Sequence, residues 1–212
     1  NAFILISNFI IVPAITYGSQ LALGAIGVTL IYGVLRFANF AYGDLMAFGT
    51  MIVILFTWYL QSKGITFGLL PTAILAIPIG IIFTIAISLF FDKTVFEYYR
   101  EKKSNPVTFI VVSLGIMFVL NAVVRIIIGP NDINFMDGHK FIMKAREFKQ
   151  LTGLDEGLAI KSTQVITLIT TIITCSLLFY FLNKTKTGKS MRAYSNNEDL
   201  ALLSGIDPKK II

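Results

Sequence analysis

The sequence predicts an all-α membrane protein, a polytopic bundle with about five transmembrane helices. Three observations lead to this prediction. The chain of 212 residues is 55% hydrophobic and only 14% charged, whereas charged residues make up about a quarter of a typical soluble domain. Its mean hydropathy is +0.76. Its charges lie in clusters between long apolar runs, which is the pattern of a membrane topology and not of a buried core.

Five apolar runs are long enough to cross the hydrocarbon layer of ~30 Å, which takes about 20 helical residues. They cover residues 14–35, 41–60, 67–91, 107–128 and 164–182. Because lipid offers no water to unpaired backbone groups, we expect each run to be helical. Residues 1–12 are also apolar but too short for a separate span. Since Pro13 interrupts the run, they predict an interfacial segment or a kinked extension of the first helix.

The positions of Lys and Arg predict which side of the membrane each connection faces. Residues 92–106 form a basic loop, and the tail after Leu182 is basic as well. Two spans separate these segments, so both lie on one side, which the excess of positive charge identifies as the cytoplasm. The N-terminus and residues 129–163 then face outward. Trp58 and Tyr59 fall at the outer interface, where amphipathic rings are favoured.

Small residues recur at helical spacing on the first two spans. Ala14, Gly18 and Ala22 line one face, and Gly43 and Ala47 line another. Small side chains let helix backbones approach each other in lipid. The pattern therefore predicts close helix packing but says little about function.

Few residues in the chain can do chemistry. Cys175 is the only cysteine and His139 the only histidine, so no disulfide or thiolate metal site can form within the chain. The spans contain no pair of carboxylates or other paired catalytic groups. We therefore expect no catalytic residue, metal or cofactor, and the net charge of +6 reflects orientation of the spans and not nucleic-acid binding.

Residues 187–190, Thr-Gly-Lys-Ser, resemble the end of a phosphate-binding loop. The full motif requires a glycine five positions before Gly188, where this chain has Asn183, and a β-strand before the loop. A predicted membrane span precedes it here. The pattern is therefore not interpreted as a nucleotide site.

A short polar connection joins the first two spans and includes Asn39, Tyr42 and Asp44. An ionisable group near membrane depth is a functional candidate. The alternative is that Asp44 caps the second helix, where the helix dipole favours a negative charge. On the fourth span, Asn121 could bond a neighbouring helix, and Arg125 could extend to the outer interface. Neither is assigned a chemical role.

The tail predicts a short helix at about residues 197–204. Asn196 or Asn197 can cap its start, and Glu198 and Asp199 in the first turn complement the dipole. Leu200, Ala201, Leu202 and Leu203 supply an apolar side, and Gly205 can take the left-handed conformation that ends a helix. A helix of two turns is unstable alone in water. It must dock, either on the lipid surface or in a groove of a soluble partner.

These features resemble the permease family of branched-chain amino acid ABC importers, close to the LivH type. Three stretches are similar to it, residues 18–50, 104–121 and 188–211, which contain NFAYGD, SNPVTFIVVSLG and GKSMRAYSNNEDLALLSGI. Tyr42 stands where the family usually has His. Asp199-Leu200-Ala201 stands where the family's loop reads Glu-Ala-Ala, although Gly205 keeps the spacing.

The resemblance implies a multi-pass permease subunit in the bacterial inner membrane. Such a subunit pairs with a second permease and with two cytoplasmic ABC ATPases that hydrolyse the ATP, so the chain itself is not an enzyme. A periplasmic binding protein delivers branched-chain amino acids or similar small polar solutes. Members continue through further spans, so we expect residues 1–212 to form one incomplete permease domain.

Within that domain, residues 183–212 would form the loop that couples transport to the ATPase. The expected contact residues are Arg192, Glu198, Asp199, Ala201, Leu202, Leu203 and Gly205, and the expected path residues are Asn39, Tyr42 and Asp44. The competing hypothesis is a secondary transporter or channel. It would need intramembrane carboxylates or an unwound helix to bind a coupling ion, and Asp44 is the only acidic residue in a suitable position.

Overall fold

The computed structural model describes residues 2–65, 71–130, 137, 141–143, 145–152, 157 and 159–207. In these ranges the elements are α1 (Ala2–Leu35), α2 (Tyr42–Ser62), α3 (Ala73–Glu101), α4 (Pro106–Ile128), β1 (Phe141–Met143), α5 (Ala145–Thr152), β2 (Ile160–Lys161), α6 (Ser162–Lys184), α7 (Lys186–Asn196) and α8 (Glu198–Leu203). Five of the helices, α1, α2, α3, α4 and α6, are long and apolar enough to cross a membrane. The predicted all-α polytopic bundle is confirmed.

The chain forms two compact units, each of which is described by itself. One contains residues 1–36 and 140–212, and the other contains residues 37–139. The first unit holds α1 and the elements from β1 to α8. The second holds α2, α3 and α4.

Helix α1 includes most of residues 1–12, for which the sequence predicts either an interfacial segment or a kinked extension of the first helix. Ala2–Ile6 is α-helical, Ser7–Ile11 is a π-helical turn, and Val12–Leu35 is α-helical again. Of the two alternatives, the extension of the first helix is therefore the one observed. Pro13 lies just after the π-helical turn, and both proline and a π-turn are usual places for a local break in the hydrogen bonding of a long helix.

The side chain of Asn8 connects α1 to the connection that precedes α6. Its Nδ2 donates to the Gly157 carbonyl at 2.6 Å, and its Oδ1 accepts from the Ala159 N–H at 3.0 Å. The first turns of α1 and the chain just before α6 therefore lie at one level. This agrees with the expectation that both face the same side of the membrane.

Helix α3 differs from the predicted third span at both ends. It begins at Ala73, not at residue 67, and residues 67–70 lie outside the described ranges. At its other end it continues through a π-helical turn, Asp92–Phe96, to Glu101. The predicted loop 92–106 is thus largely helical. Hydropathy marks where lipid ends, and a helix can continue into water if its side chains are polar.

The close approach of α2 and α3 occurs at glycines outside the predicted small-residue faces. A methyl group on Gly49 would lie 2.5 Å from the Thr84 hydroxyl, and one on Gly80 would lie 3.2 Å from the Gly49 carbonyl. By contrast, a methyl group on Gly18 or Gly43 would meet no atom within 4 Å. In the described residues no neighbour packs against these two glycines, and packing of the predicted small-residue faces stays a prediction.

The predicted outer connection contains a small amount of β-structure. Strands β1 and β2 pair antiparallel, with Phe141 opposite Lys161 and a bulge before Met143. The start of α6 follows at once, where the Lys161 N–H donates to Gln164 Oε1 at 3.0 Å. A pair this short carries no periodic signal that the sequence could have shown.

Candidate coupling and transport sites

Helix α7 begins directly after α6 and rests against its last turn. Thr185 caps α7 by accepting a bond from the Gly188 N–H at 3.0 Å. Gly188 is buried, and a methyl group there would lie 2.7 Å from the Leu182 Cα. Glycine is therefore required for the tight α6–α7 join. Residues 187–190 lie inside α7, whereas a phosphate-binding motif needs these residues in a loop before a helix.

Helix α8 has the boundaries that its sequence predicts. Asn197 caps it, since its Oδ1 accepts from the Leu200 N–H at 3.1 Å. At the other end Gly205 has a φ of +78°. The Ile206 N–H bonds the Ala201 carbonyl at 3.1 Å and the Gly205 N–H bonds the Leu202 carbonyl at 3.0 Å. This pair of bonds is the Schellman motif, which favours glycine at the left-handed position.

A small core holds α7 and α8 together. Tyr194 and Ala201 are 5% and 3% exposed, and Val34, Met191 and Ile206 pack against them. The core gives the two short helices the tertiary packing that helices of this length need. Nothing in the sequence marked Tyr194, because its partners lie on three separate segments of the chain.

Polar contacts reinforce this core. The Tyr194 hydroxyl donates to Glu198 Oε1 at 2.7 Å, and the Arg36 guanidinium donates to the Ser195 carbonyl. Burial is the main reason that the pKa of Tyr194 is raised to about 12, and the bond to Glu198 and its charge add to the shift. The positive charge of Arg36 acts in the opposite direction. Helices α7 and α8 together form a helical hairpin, residues 186–203, and its folded state therefore favours the neutral tyrosine.

The structure separates the predicted coupling residues into two groups. Ala201 points into the α7–α8 core, and Glu198 is bonded to Tyr194. Residues with exposed side chains are Arg192, Glu198, Asp199, Leu202 and Leu203, of which Leu203 is 85% exposed. Leu200, which was not selected from the sequence, is 60% exposed. The spacing of Leu200 and Leu203 places them on one helix face, opposite the buried Ala201.

The polar connection before α2 is held by one local hydrogen bond and by one hydrogen bond to α4. Asn39 Oδ1 accepts from the Ala41 N–H at 3.0 Å, and the Phe40 N–H donates to Ser113 Oγ at 3.1 Å. Phe37, at the start of the connection, is 7% exposed. The connection is therefore tied to the second unit by both backbone and side-chain contacts.

Asp44 lies in the first turn of α2 but does not cap it. The N-cap residue is Ala41, and no side chain caps the helix. The Asp44 Oδ1 instead accepts a bond from Asn121 Nδ2 at 2.9 Å. The interpretation that Asp44 caps α2 through a hydrogen bond to its backbone is therefore wrong. The expectation that Asn121 bonds a neighbouring helix is confirmed. Tyr42, the third predicted path residue, is half-buried two residues before Asp44.

The described residues contain no group of three or more His, Cys, Asp or Glu side chains that could hold a metal ion. His139 lies outside the described ranges. Cys175 is a free thiol in α6.

Comparison with known proteins gives one consistent result. A family model described as branched-chain amino acid transport system, permease component, matches residues 10–212. The chain is 24% identical over 203 residues to the high-affinity branched-chain amino acid transport system permease protein LivH of Salmonella typhimurium. It is equally similar to LivH of Escherichia coli K12, and 25% identical over 211 residues to the corresponding permease protein BraD of Pseudomonas aeruginosa.

The matches cover most of this chain but not most of its relatives. Aligned residues make up 93% of the chain and 62% of the LivH proteins, and 95% of the chain and 63% of BraD. The chain thus spans less than two thirds of the length of these relatives. No solved structure matches it. Because the family model extends from residue 10 to residue 212, the chain belongs to the family of permease components of branched-chain amino acid transport systems.

Proposed function

We propose that this chain is a permease subunit of a bacterial ABC importer in the inner membrane. It would translocate branched-chain amino acids, or similar small polar solutes such as other amino acids, amides or urea, while a separate protein hydrolyses ATP. The observation that carries the proposal is the family match over residues 10–212. Five membrane-length helices and the exposed α8 support it.

The proposal includes three kinds of protein partner. A second permease subunit would complete the translocation path, two cytoplasmic ABC ATPases would drive it, and a periplasmic protein would deliver the solute. Residues 1–212 would belong to one membrane-embedded domain, in which residues 183–212 form the coupling loop.

In the proposed coupling mechanism, α8 lies in a groove of one ATPase. Leu200 and Leu203 would provide the apolar contact, since both are exposed on one face. Arg192 and Asp199 would flank it, whereas Ala201 and Glu198 would hold the helix to α7. Motion of the ATPase would then reach α6 through the tight join at Gly188.

In the proposed translocation path, Asn39, Tyr42 and Asp44 line the entry to α2. Their support is the non-helical connection that contains Asn39 and the hydrogen bond from Asn121 to the Asp44 carboxylate. An ionisable residue on a membrane-spanning helix is expensive, and it usually faces the bundle interior or an aqueous cavity.

The coupling proposal is tested by copurification from native membranes. A double variant, Leu200→Ser with Leu203→Ser, removes the exposed apolar face of α8 but leaves its caps and its core in place. We expect the ATPase subunit to copurify with the unmodified permease and not with the double variant.

The matched control is Ala193→Ser, which changes an exposed residue of α7. The control should retain the ATPase, and all three proteins should insert into the membrane equally. Equal recovery of the ATPase with the double variant would show that α8 is not the contact.

A further inference from the structure

Three polar side chains in the second unit form a continuous relay between α2 and α4. Asn121 Nδ2 donates to Asp44 Oδ1 at 2.9 Å, and Arg125 Nε donates to Asn121 Oδ1 at 2.8 Å. The carboxylate and the guanidinium do not meet within salt-bridge distance. In the described residues the one ion pair is that of Arg100 with Asp92. A neutral amide therefore separates two charges that could have paired directly.

The relay lies on two helices that are long and apolar enough to cross a membrane. At about 1.5 Å per helical residue, Asn121 is ~22 Å from Pro106 and ~10 Å from Ile128 along α4. On α2, Asp44 is ~21 Å from Trp58 by the same rise, and Trp58 is expected at the outer interface. Both distances from the outward ends of these helices are shorter than the hydrocarbon layer of ~30 Å.

The Arg125 side chain makes a hydrogen bond to a residue deeper in α4. A snorkelling arginine on this turn would aim beyond Ile128, at the end of α4. Its Nε instead bonds Asn121, one turn deeper. In the part of the chain that the structure describes, this is the only hydrogen bond of the guanidinium, so its two terminal nitrogens remain available to an anion.

Part of the region around the relay is open. Non-helical backbone at membrane depth is tolerated only where protein buries it or where it lines a water-filled cavity. Ser113 bonds the Phe40 N–H of the connection before α2, yet Phe40 itself is 50% exposed. Gly43, next to Asp44, is exposed, and a methyl group there would meet no atom within 4 Å.

We propose that the relay of Asp44, Asn121 and Arg125 is a binding site for the zwitterion of an α-amino acid. The Asp44 carboxylate would accept hydrogen bonds from the solute ammonium, and the Arg125 guanidinium would bind the solute carboxylate through its free fork. Asn121 keeps the two protein charges from neutralising each other, so both remain available. This inference rests on the proposed function and assigns the head-group chemistry of its solute.

Thiol labelling of the full-length permease, assembled with its ATPase and binding protein in proteoliposomes, tests the site. In a Cys175→Ser background, Gly43→Cys places a thiol beside the relay without a steric clash. We expect a charged, membrane-impermeant reagent to modify it. L-leucine at about ten times its Kd for the permease site should slow labelling of the thiol about tenfold, since the fraction of unoccupied sites falls as 1/(1 + [L]/Kd).

Two controls separate binding from nonspecific effects. Val119→Cys lies within ~3 Å of the level of Asn121 along α4 but on another face, and its reaction should not change with L-leucine. 3-Methylbutylamine, which lacks the carboxylate, should not protect Gly43→Cys. If Gly43→Cys fails to assemble, Ala47→Cys, one turn further on the same face, replaces it.

Protection should disappear in Asp44→Asn and in Arg125→Gln, which each remove one charge but keep a hydrogen-bonding group. Absence of labelling at Gly43→Cys, or labelling that L-leucine leaves unchanged, would overturn the site. ATP-dependent uptake of L-leucine by the Cys175→Ser parent is measured first. If neither L-leucine nor any other α-amino acid is taken up with ATP, the proposed amino acid transport and the site are both refuted, whereas uptake without protection refutes the site alone.

Discussion

Gly205 shows how the conformation of a single residue can set the end of α8. Its φ of +78° is left-handed, and a methyl group there would meet no atom within 4 Å. Any cost of substitution therefore comes from the backbone and not from a clash. Left-handed conformation costs a residue with a branched side chain roughly 1–2 kcal/mol.

For Gly205→Val we expect lower ATPase activity in response to the loaded binding protein, with unchanged membrane insertion, because the end of α8 is redirected. Gly205→Asn, which tolerates the left-handed region, should restore most of the activity. The matched control is Gly64→Val, which has the same strain (φ +74°) and the same free space outside the hairpin. Normal coupling in Gly205→Val would count heavily against the proposed role of α8.

Tyr194 predicts a pH dependence of the α7–α8 hairpin. Its pKa is raised to about 12 by burial and by Glu198, compared with about 10 in an unfolded chain. The folded state holds this proton more tightly, so the stabilisation is complete below about pH 10 and is lost as the pH rises towards 12.

Replacement of Tyr194 by Phe should cost about 1 kcal/mol at pH 8, because it leaves Glu198 without its bond. The difference in melting temperature between the two proteins in detergent should shrink as the pH rises above about 10. Tyr17→Phe, at an exposed position of α1, controls for loss of a hydroxyl. A difference that does not vary with pH would contradict this role of Tyr194.

Local signals in the sequence were sufficient for residues whose partners are nearby. The sequence narrows the start of α8 to Asn196 or Asn197 and its end to Gly205, because capping depends on a few adjacent residues. Asp44 and Tyr194 could not be placed in the same way, since Asn121 and Val34 approach them only through tertiary packing. Hydrogen bonds across distant segments leave no pattern in a single sequence.

At the scale of the elements, hydropathy predicts the apolar spans better than it predicts where the helices end. The apolar part of α3 was predicted to end at residue 91, as the composition requires, but the helix continues to Glu101 through polar residues. Similarly, α7 has no apolar run and was not predicted. Its stability comes from the core around Tyr194 and from its close contact with α6.

That contact predicts the effect of a minimal substitution. Gly188→Ala should displace α7 from the last turn of α6, because the new methyl group would lie 2.7 Å from the Leu182 Cα. Backbone cannot yield as a side chain can, so we expect a loss of at least about 1 kcal/mol and faster proteolysis of the tail. The proteolysis rate of the membrane-inserted protein measures it.

Gly24→Ala is the matched control for that variant. Gly24 lies inside α1, and a methyl group there would meet no atom within 4 Å. Since alanine has the higher helix propensity, this control should be neutral or slightly stabilising. Equal proteolysis of both variants would show that α7 does not depend on its contact with α6.

At the scale of the whole molecule, composition was enough to predict the number and approximate position of the spans. It could not predict which faces pack, because glycine and alanine occur on several faces of each helix. The approach of Gly49 and Gly80 depends on the Thr84 and Val53 side chains opposite them. The faces around Gly18 and Gly43 remain open in the described chain.

The energy source of transport tests the central proposal most directly. The permease is purified with its associated subunits, reconstituted into proteoliposomes, and assayed for L-leucine uptake with its binding protein. We expect uptake that needs ATP hydrolysis and that stops when a non-hydrolysable analogue replaces ATP. Uptake that persists without ATP and follows an ion gradient would contradict the importer assignment and favour a secondary transporter.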